Sequence, residues 1–449
     1  MMDLSAKKVL VIGLGKTGMA TAQFLSGRCA AVRVTDEKPA DQLAQALNEI
    51  RGLSVVFGQY GTALLDDADL VIPSPGVWPS NPLLIESVRR RIPILSELEL
   101  AFRFIKTPMV AITGTNGKTT TTTLVGEILR AWGKQVFVGG NIGSPLIGYA
   151  AGPQEADYAV VEVSSFQLQW IEQFHPMVAI LLNTTCDHID YHGSFAAYRA
   201  AKERIFDNQT EGDLAILNGD DIHAVELAER IAANVHFFSS SHSVAAGMFV
   251  ENEALIYATQ SGGREIYPLS MIKLPGRHNI ENVMAAIMAA RYCGCPATDV
   301  TRTIDGFRGI AHRIEFVAEK SGVRYYDDSK GTNVDAVKRA LETFSDPVVL
   351  LMGGRDKESD FGLLKNIVKE RVAELILFGE ARERIKAAIG NTVETSMAKT
   401  LKEATELASR QAAPGQIVLL SPGCASFDEF ADYKDRGRFF RRLVEGLGS

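Results

Sequence analysis

The sequence predicts an α/β protein of three domains built on largely parallel sheets, and three observations predict it. The chain has 449 residues, about three times the ~150 residues of an ordinary domain. Short β-branched runs bounded by Gly, Pro or Asp alternate with helical periodicity from one end to the other, which is the rhythm of strand–helix–strand units. Apolar residues make up 46% and charged residues 22%, enough for several cores and too apolar for extensive disorder.

The first block, 1–98, reads as strands at 9–13, 31–36, 54–58, 70–75 and 92–95, with a helical pattern at 19–25. A second block, 99–309, carries strands at 109–113, 158–163, 178–183 and 213–217. Residues 235–275 change to short alternating runs with a Gly262-Gly263 turn, and a small antiparallel sheet at the edge of this domain is expected there. From 310 to 449 the rhythm restarts, with strands at 323–327, 348–353, 374–378 and 417–421 separated by helical stretches at 333–344 and 397–411. No repeat of fixed period and no low-complexity segment interrupts it.

Composition also excludes function classes. The formal charge is −7, which rules out coating a nucleic acid by bulk charge while leaving room for a local phosphate pocket. Cys29, Cys186, Cys293, Cys295 and Cys424 are odd in number and scattered, so a reduced cytoplasm is expected rather than a disulfide framework. The first eight residues lead straight into a strand with no signal-peptide core, and no 18-residue apolar run predicts a membrane span.

Two glycine-rich turns carry the chemistry. Gly13-Leu14-Gly15-Lys16-Thr17-Gly18 joins a strand to a helix, and Asp36 ends the next strand. Such glycines let backbone amides approach a diphosphate at a helix N-terminus while the acid reaches a sugar hydroxyl, as in Rossmann-like folds. The pattern licenses a nucleotide diphosphate without specifying a nicotinamide, and the alternative is a tight turn with no ligand. Thr113-Gly114-Thr115-Asn116-Gly117-Lys118-Thr119-Thr120 follows a second strand and opens a helix. Amides for phosphates, a cation for the β/γ charge and a hydroxyl for magnesium make this an ATP loop of the P-loop kind, one whose glycines stand closer together than in the general pattern.

That shorter loop resembles the ATP loop of the Mur ligases and folylpolyglutamate synthetases, which activate a carboxylate as an acyl phosphate and form an amide. Val161-Glu162-Val163-Ser164-Ser165-Phe166-Gln167-Leu168 and Asn183-Thr184-Thr185-Cys186-Asp187-His188 resemble the family's segments for a magnesium-binding glutamate and histidine. Gly276-Arg277-His278-Asn279-Ile280-Glu281-Asn282 resembles the adenine-side segment, His312-Arg313 the entry to the third domain, and Asp327-Asp328-Ser329-Lys330-Gly331-Thr332-Asn333 a third-domain loop directed to ATP. Folylpolyglutamate synthetases lack the first domain, so the Gly13–Gly18 block favours a Mur ligase. Ser164–Leu168 and Ser421-Pro422-Gly423-Cys424-Ala425-Ser426-Phe427-Asp428 resemble the D-glutamate-adding branch.

The resemblance implies an N-terminal Rossmann-like UDP-binding domain, a central P-loop ATPase-type domain and a C-terminal Rossmann-like domain. It assigns ATP to Gly114, Thr115, Asn116, Gly117, Lys118, Thr119, Thr120, Asn279, Asn282, Arg313 and Asp328. The UDP-muramoyl substrate falls to Lys16, Thr17, Asp36, Glu37, Ser74, Gly76, Asn141 and Ser164, and D-glutamate to Thr332, Lys357, Ser426 and Tyr433. Magnesium falls to Thr119, Glu162, His188 and Lys202, the last as a carbamate, and catalysis to Lys118, Glu162, His188, Lys202 and Lys330. On spacing alone Ser194 caps a helix whose stripe of Phe195, Tyr198, Ala201 and Ile205 sets Lys202 beside the buried face; the carbamate follows from the resemblance.

The implied reaction joins UDP-N-acetylmuramoyl-L-alanine to D-glutamate at the expense of ATP, in cytoplasmic peptidoglycan precursor synthesis that feeds cell-wall biogenesis, cell shape and division. A monomer with small-molecule partners, no nucleic acid and no membrane span is expected. A nicotinamide-dependent oxidoreductase, a folylpolyglutamate-synthetase-like ligase and a non-catalytic nucleotide-gated binding protein remain the alternatives.

Overall fold

Among the described residues, three sheets carry the fold. In the computed structural model, which describes residues 2–43, 50, 53–57, 61–259, 262–356 and 359–447, contacts divide the chain into two units. The first comprises Met1–Thr184, Tyr191–Met271 and Glu281–Gly306; the second comprises Thr185–Asp190, Ile272–Ile280 and Phe307–Ser449.

The first unit holds two sheets. One is parallel, with β1 (Lys8–Ile12), β2 (Ala31–Asp36), β3 (Ser54–Phe57) and β4 (Leu70–Pro73) in the order β3-β2-β1-β4. The fifth strand expected at 92–95 is not one: Ile94 makes an isolated bridge to Val71. Pro93 sits in that segment without an N–H and so cannot continue a ladder as donor.

The other sheet has nine strands: β5 (Met109–Thr113), β6 (Val136–Gly140), β7 (Tyr158–Glu162), β8 (Val178–Leu181), β9 (Leu214–Asn218), β10 (Asn234–Ser239), β11 (Gly247–Glu251), β12 (Ala254–Ala258) and β13 (Arg264–Pro268). Their order is β13-β12-β11-β10-β9-β8-β5-β7-β6. β5 is an interior strand between β8 and β7 and is buried at every position, as expected of a strand covered on both faces. The sheet expected over 235–275 differs from its expectation in one respect. β10 and β11 continue the parallel order beyond β9, and antiparallel pairing begins only with β12 and β13.

The second unit is doubly wound. β14 (Glu315–Lys320), β15 (Val323–Asp327), β16 (Val348–Gly353), β17 (Val372–Phe378), β18 (Glu394–Met397) and β19 (Ile417–Gly423) lie in the order β14-β15-β19-β16-β17-β18, with β14 antiparallel to β15. The pleat sends Leu350, Met352 and Leu419 into a core with Val337 and Leu341, and Val349, Leu351 and Leu420 into another with Leu401 and Phe440. Helices Val334–Glu342 on one face and Leu401–Gln411 and Tyr433–Glu445 on the other supply those partners. Among the described residues no helix is long and apolar enough to cross a membrane.

Candidate active site

The first glycine turn forms the floor of a cavity of about 750 Å³ in the first unit. Gly13 takes φ +90°, and a Cβ at Gly18 would overlap the Gly13 carbonyl oxygen, so the turn packs more tightly than any side chain would allow. Ser74 Oγ donates to Gly13 O at 2.8 Å and ties the end of β4 to the turn. Lys16, Thr17, Asp36, Glu37, Ser74, Gly76 and Asn141 all line the cavity. Ser164 does not line it: its hydroxyl caps the short helix Ser165–Leu168 in a reciprocal arrangement with Gln167, and Gln167 reaches the cavity instead. Asp36 departs from its expected role in detail. Its carboxylate accepts the N–H of Leu14 at 2.6 Å and of Lys38 at 2.9 Å, so it organises the turn as well as bordering the cavity. Lys16 Nζ bonds to the Gly143 carbonyl across the cavity.

The second turn leaves β5 and enters the helix Lys118–Ala131. Gly114 and Gly117 take φ +153° and +86°, and a Cβ on Gly117 would overlap Asn282 Oδ1. Asn183 holds the loop from beneath, accepting from Asn116 N at 2.9 Å and donating to Asn116 O at 3.1 Å, while Thr115 N donates to Asn183 O at 2.9 Å. Lys118 Nζ bends back to Gly114 O at 2.7 Å and Thr115 O at 2.8 Å. Thr120 is buried in the first helical turn.

Thr119 Oγ1 donates to Glu162 Oε2 at 2.8 Å, and Asn141 Nδ2 donates to Glu162 Oε1 at 2.8 Å. Glu162 ends β7, which lies beside β5, so strand adjacency brings a carboxylate to the head of the loop. A hydroxyl and a carboxylate this close are hard oxygen donors of the kind magnesium takes, and they fit such an ion.

Lys202 lies on the helix Phe195–Glu203, capped by Ser194. It is 1% exposed, with Nζ 2.9 Å from Gly114 O and 4.7 Å from the Tyr198 ring centroid. Tyr198 OH is 3.1 Å from Thr115 Oγ1. A buried lysine reaching the phosphate loop is not an ordinary solvated helix lysine.

The remaining candidates fall in the second unit, apart from Asn282. His188 sits in the left-handed region at φ 53°, with its N–H on Asp187 Oδ1 at 3.0 Å, and Asn333 Nδ2 donates to Asp187 Oδ2 at 3.0 Å. Glu162 and His188 therefore belong to different units. Asn279 donates Nδ2 to Pro275 O at 2.7 Å, whereas Asn282 approaches Thr121 Oγ1 at 3.4 Å in the first unit. Arg313 Nη1 donates to Asp328 Oδ1 at 3.2 Å and Ser421 Oγ to Asp328 Oδ2 at 2.8 Å. Burial pushes the Asp328 carboxyl up to about 6, with Arg313 and Ser421 pulling the other way. Burial, aided by Arg339 and Arg313, pulls His278 down to about 3.

Lys330 Nζ donates to Tyr433 OH at 3.3 Å and lies 4.9 Å from that ring. Lys330 and Thr332 follow β15 and Ser426 follows β19, neighbouring parallel strands. These residues thus share the carboxyl edge of the sheet, where open α/β sheets bind ligands. Lys357 lies outside the described residues.

Three features escaped sequence reasoning. Arg436 is fully buried and donates to Ser329 Oγ and O and to the carbonyls of Cys424 and Ala425. It clamps the 328–333 loop to the 424–426 loop, and burial lowers its guanidinium to about 10. Tyr198 belongs to the apolar stripe that spacing shows, but its hydroxyl contact with Thr115 Oγ1 is not legible from that spacing. Trp78 lines the large cavity, and nothing in its spacing announced it.

Comparison with known proteins follows this geometry. Residues 7–96 match the N-terminal domain of MurD-like Mur ligases, 112–290 the Mur ligase middle domain and 312–424 the Mur ligase glutamate ligase domain. A UDP-N-acetylmuramoylalanine--D-glutamate ligase of Syntrophus aciditrophicus is 59% identical over 449 residues, covering 99% of each chain. One of the same name from Geobacter metallireducens is 46% identical over 450 residues, covering 100% of this chain and 99% of the relative. Among solved structures, a UDP-N-acetylmuramate-alanine ligase from Thermotoga maritima superposes with TM-score 0.59 at 20% identity, covering 98% of this chain and 99% of that one. A MurF ligase from the same organism, in complex with ADP, gives 0.60 at 15% identity, covering 99% of each. At those identities the two structures speak for the fold.

Proposed function

Since the chain belongs to the Mur ligase family, we propose that it is a UDP-N-acetylmuramoyl-L-alanine:D-glutamate ligase (MurD), which uses ATP to form the amide in peptidoglycan precursor synthesis. The observation that carries this reading is the chain of hydrogen bonds Thr119–Glu162–Asn141. It joins the head of the phosphate loop to the wall of the large cavity, so a nucleotide on the loop and a nucleotide sugar in the cavity would be neighbours.

In this reading the γ-phosphoryl group of ATP passes to the carboxylate of the alanyl arm, forming a P–O bond to that carboxylate and breaking the one to ADP. The amine of D-glutamate then attacks the acyl phosphate, loses a proton and expels phosphate. A free carboxylate resists amines because oxide is a poor leaving group; the phosphorylated form offers a stable one. Lys118, released from its two loop carbonyls by the incoming phosphates, would offset their charge, and Lys330 keeps the role of a catalytic cation. Magnesium, when bound, offsets phosphate charge, and Thr119, Glu162, His188 and Lys202 as its carbamate are the residues assigned to hold it. The burial of Lys202 supports the carbamate, because the reaction with carbon dioxide requires the neutral amine and burial disfavours the ammonium. D-glutamate is assigned to Thr332, Lys357, Ser426 and Tyr433, and Asn279, Asn282, Arg313 and Asp328 to the ATP side.

The proposed domains are 1–98, 99–309 and 310–449, a division supported by where the three family matches fall. A cytoplasmic monomer acting on small molecules completes the reading. The test is product formation: ADP and phosphate should appear in equal amounts only when UDP-N-acetylmuramoyl-L-alanine and D-glutamate are both present, together with the new amide. Turnover that needs neither acceptor, or that consumes a nicotinamide cofactor, would overturn it.

A further inference from the structure

We propose that Trp78 is the platform on which the sugar ring of the nucleotide substrate stacks, and so the residue by which the cavity distinguishes a UDP-sugar from UDP. The proposal rests on the reading of that cavity given above. Strand order sets the direction of the ligand. β1 lies between β2 and β4, so the Gly13–Gly18 turn at its end has Asp36 on one side and Ser74 to Trp78 on the other. A diphosphate held by the turn directs its nucleoside to the acid that ends β2, the ribose position of such folds. The rest of the ligand then runs toward the end of β4.

Trp78 stands there, and among the described residues it is the sole aromatic side chain lining the cavity. Trp78 is 47% exposed, a large apolar surface in a cavity lined, Val77 apart, by glycines, prolines and polar groups. A pyranose offers the complementary surface: a face of C–H groups and an edge of hydroxyls. Ser80 and Asn141, also on the cavity wall, are polar groups suited to that edge.

The indole is fixed in advance. Val77 N donates to Ser74 O and Asn81 N to Trp78 O, both at 2.9 Å, giving two successive turns stiffened by Pro75 and Pro79. Tyr191 OH donates to Val77 O at 3.1 Å, and its ring lies 5.6 Å from the indole at 41°. Tyr191 is in turn edge-on to Phe166 at 4.3 Å. A ring supported from behind and held by a stiff loop loses little freedom when a ligand covers its open face.

The test uses intact protein, with UDP-N-acetylmuramoyl-L-alanine and UDP as separate probes. Tryptophan emission of the wild-type protein should change with the nucleotide sugar and not with UDP, and Trp78→Phe should abolish the change. By calorimetry Trp78→Ala should bind the nucleotide sugar roughly three- to tenfold more weakly, the range typical of one aromatic contact. Trp78→Phe should retain most of the affinity, and UDP should bind both variants as it binds wild type. The KM for the nucleotide sugar should rise in parallel while that for ATP does not. Unchanged sugar affinity in Trp78→Ala, or an equal loss for UDP, overturns the platform. If Trp78→Ala does not fold, the same emission and affinity comparison on Trp78→Phe decides. Wild-type protein that binds neither probe overturns the reading of the cavity, and the platform with it.

Discussion

Replacing Glu97 by Gln should make the protein more stable at alkaline pH and change it little at acidic pH. Glu97 opens the helix Glu97–Phe102 and is 1% exposed. Its Oε1 accepts the Ile147 N–H at 2.6 Å, and the Gln167 side chain and the Leu146 N–H also favour the charged form. Burial outweighs all three contacts and pushes the carboxyl from 4.5 to about 7. Below 4.5 the group is protonated in both the folded and the unfolded chain, and folding loses nothing. Between 4.5 and about 7 the unfolded chain releases the proton first, so stability falls as pH rises and the loss is complete above the folded value. At about 1.36 kcal/mol per pH unit the full loss is on the order of 3 kcal/mol, most of which develops between pH 5 and pH 8. Glutamine keeps a carbonyl for Ile147 and cannot ionise. Urea unfolding of both proteins at the two pH values, followed by circular dichroism, should show the stability difference shifting by that amount in favour of the variant. A difference that is the same at both pH values would refute the reasoning.

Lys118→Ala should lose at least about a hundredfold in turnover, as for removal of one donor to a developing charge, while its melting temperature moves by only a few degrees; near-normal turnover would remove Lys118 from the ATP site. Glu162→Gln and His188→Ala should each raise the magnesium concentration needed for half-maximal activity, and unchanged metal titrations in both would make the pair structural. Lys202→Ala should lose most activity and regain part of it with short carboxylates, whereas Lys202→Arg stays inactive. A fully active Lys202→Ala enzyme in bicarbonate-free buffer would exclude the carbamate. Arg436→Lys should cost about 1–3 kcal/mol of stability, because a single ammonium nitrogen cannot span acceptors that separate guanidinium nitrogens serve on residues 329, 424 and 425; an unchanged urea midpoint would contradict that.

The central strands were legible because burial on both faces leaves an uninterrupted apolar run, as in Met109–Thr113 and Val348–Gly353. Edge strands carry no such signal. Glu315–Lys320 and Glu394–Met397 are half-exposed along their length and carry no clear strand signal, and neither does the edge strand Val136–Gly140, which ends in two glycines. At 92–95 the apolar content favours a strand, and the missing donor of Pro93 leaves only an isolated bridge. At the candidate site, the strand-to-helix turn at 113–120 is legible because its signal is local: glycines, a lysine and hydroxyls in one short stretch. Asp36 was assigned to a sugar alone because the sequence does not show that the Leu14 and Lys38 amides reach it. Arg436 acts through a partner 107 residues away and Glu97 through one 50 residues away, separations at which no spacing rule operates.

The position of β19 has a consequence for biosynthesis. It lies between β15 and β16, yet among the described strands it is the last to be made. While the ribosome translates the intervening helices, β15 and β16 cannot pair with each other without occupying the place reserved for Ile417–Gly423. The nascent domain therefore waits with two open strand edges at its centre, where mispairing and capture by other chains are most damaging. Synthesis must deliver the keystone before the arch can close, and a pause or truncation just upstream of residue 417 would release a chain primed to aggregate rather than a partly working enzyme.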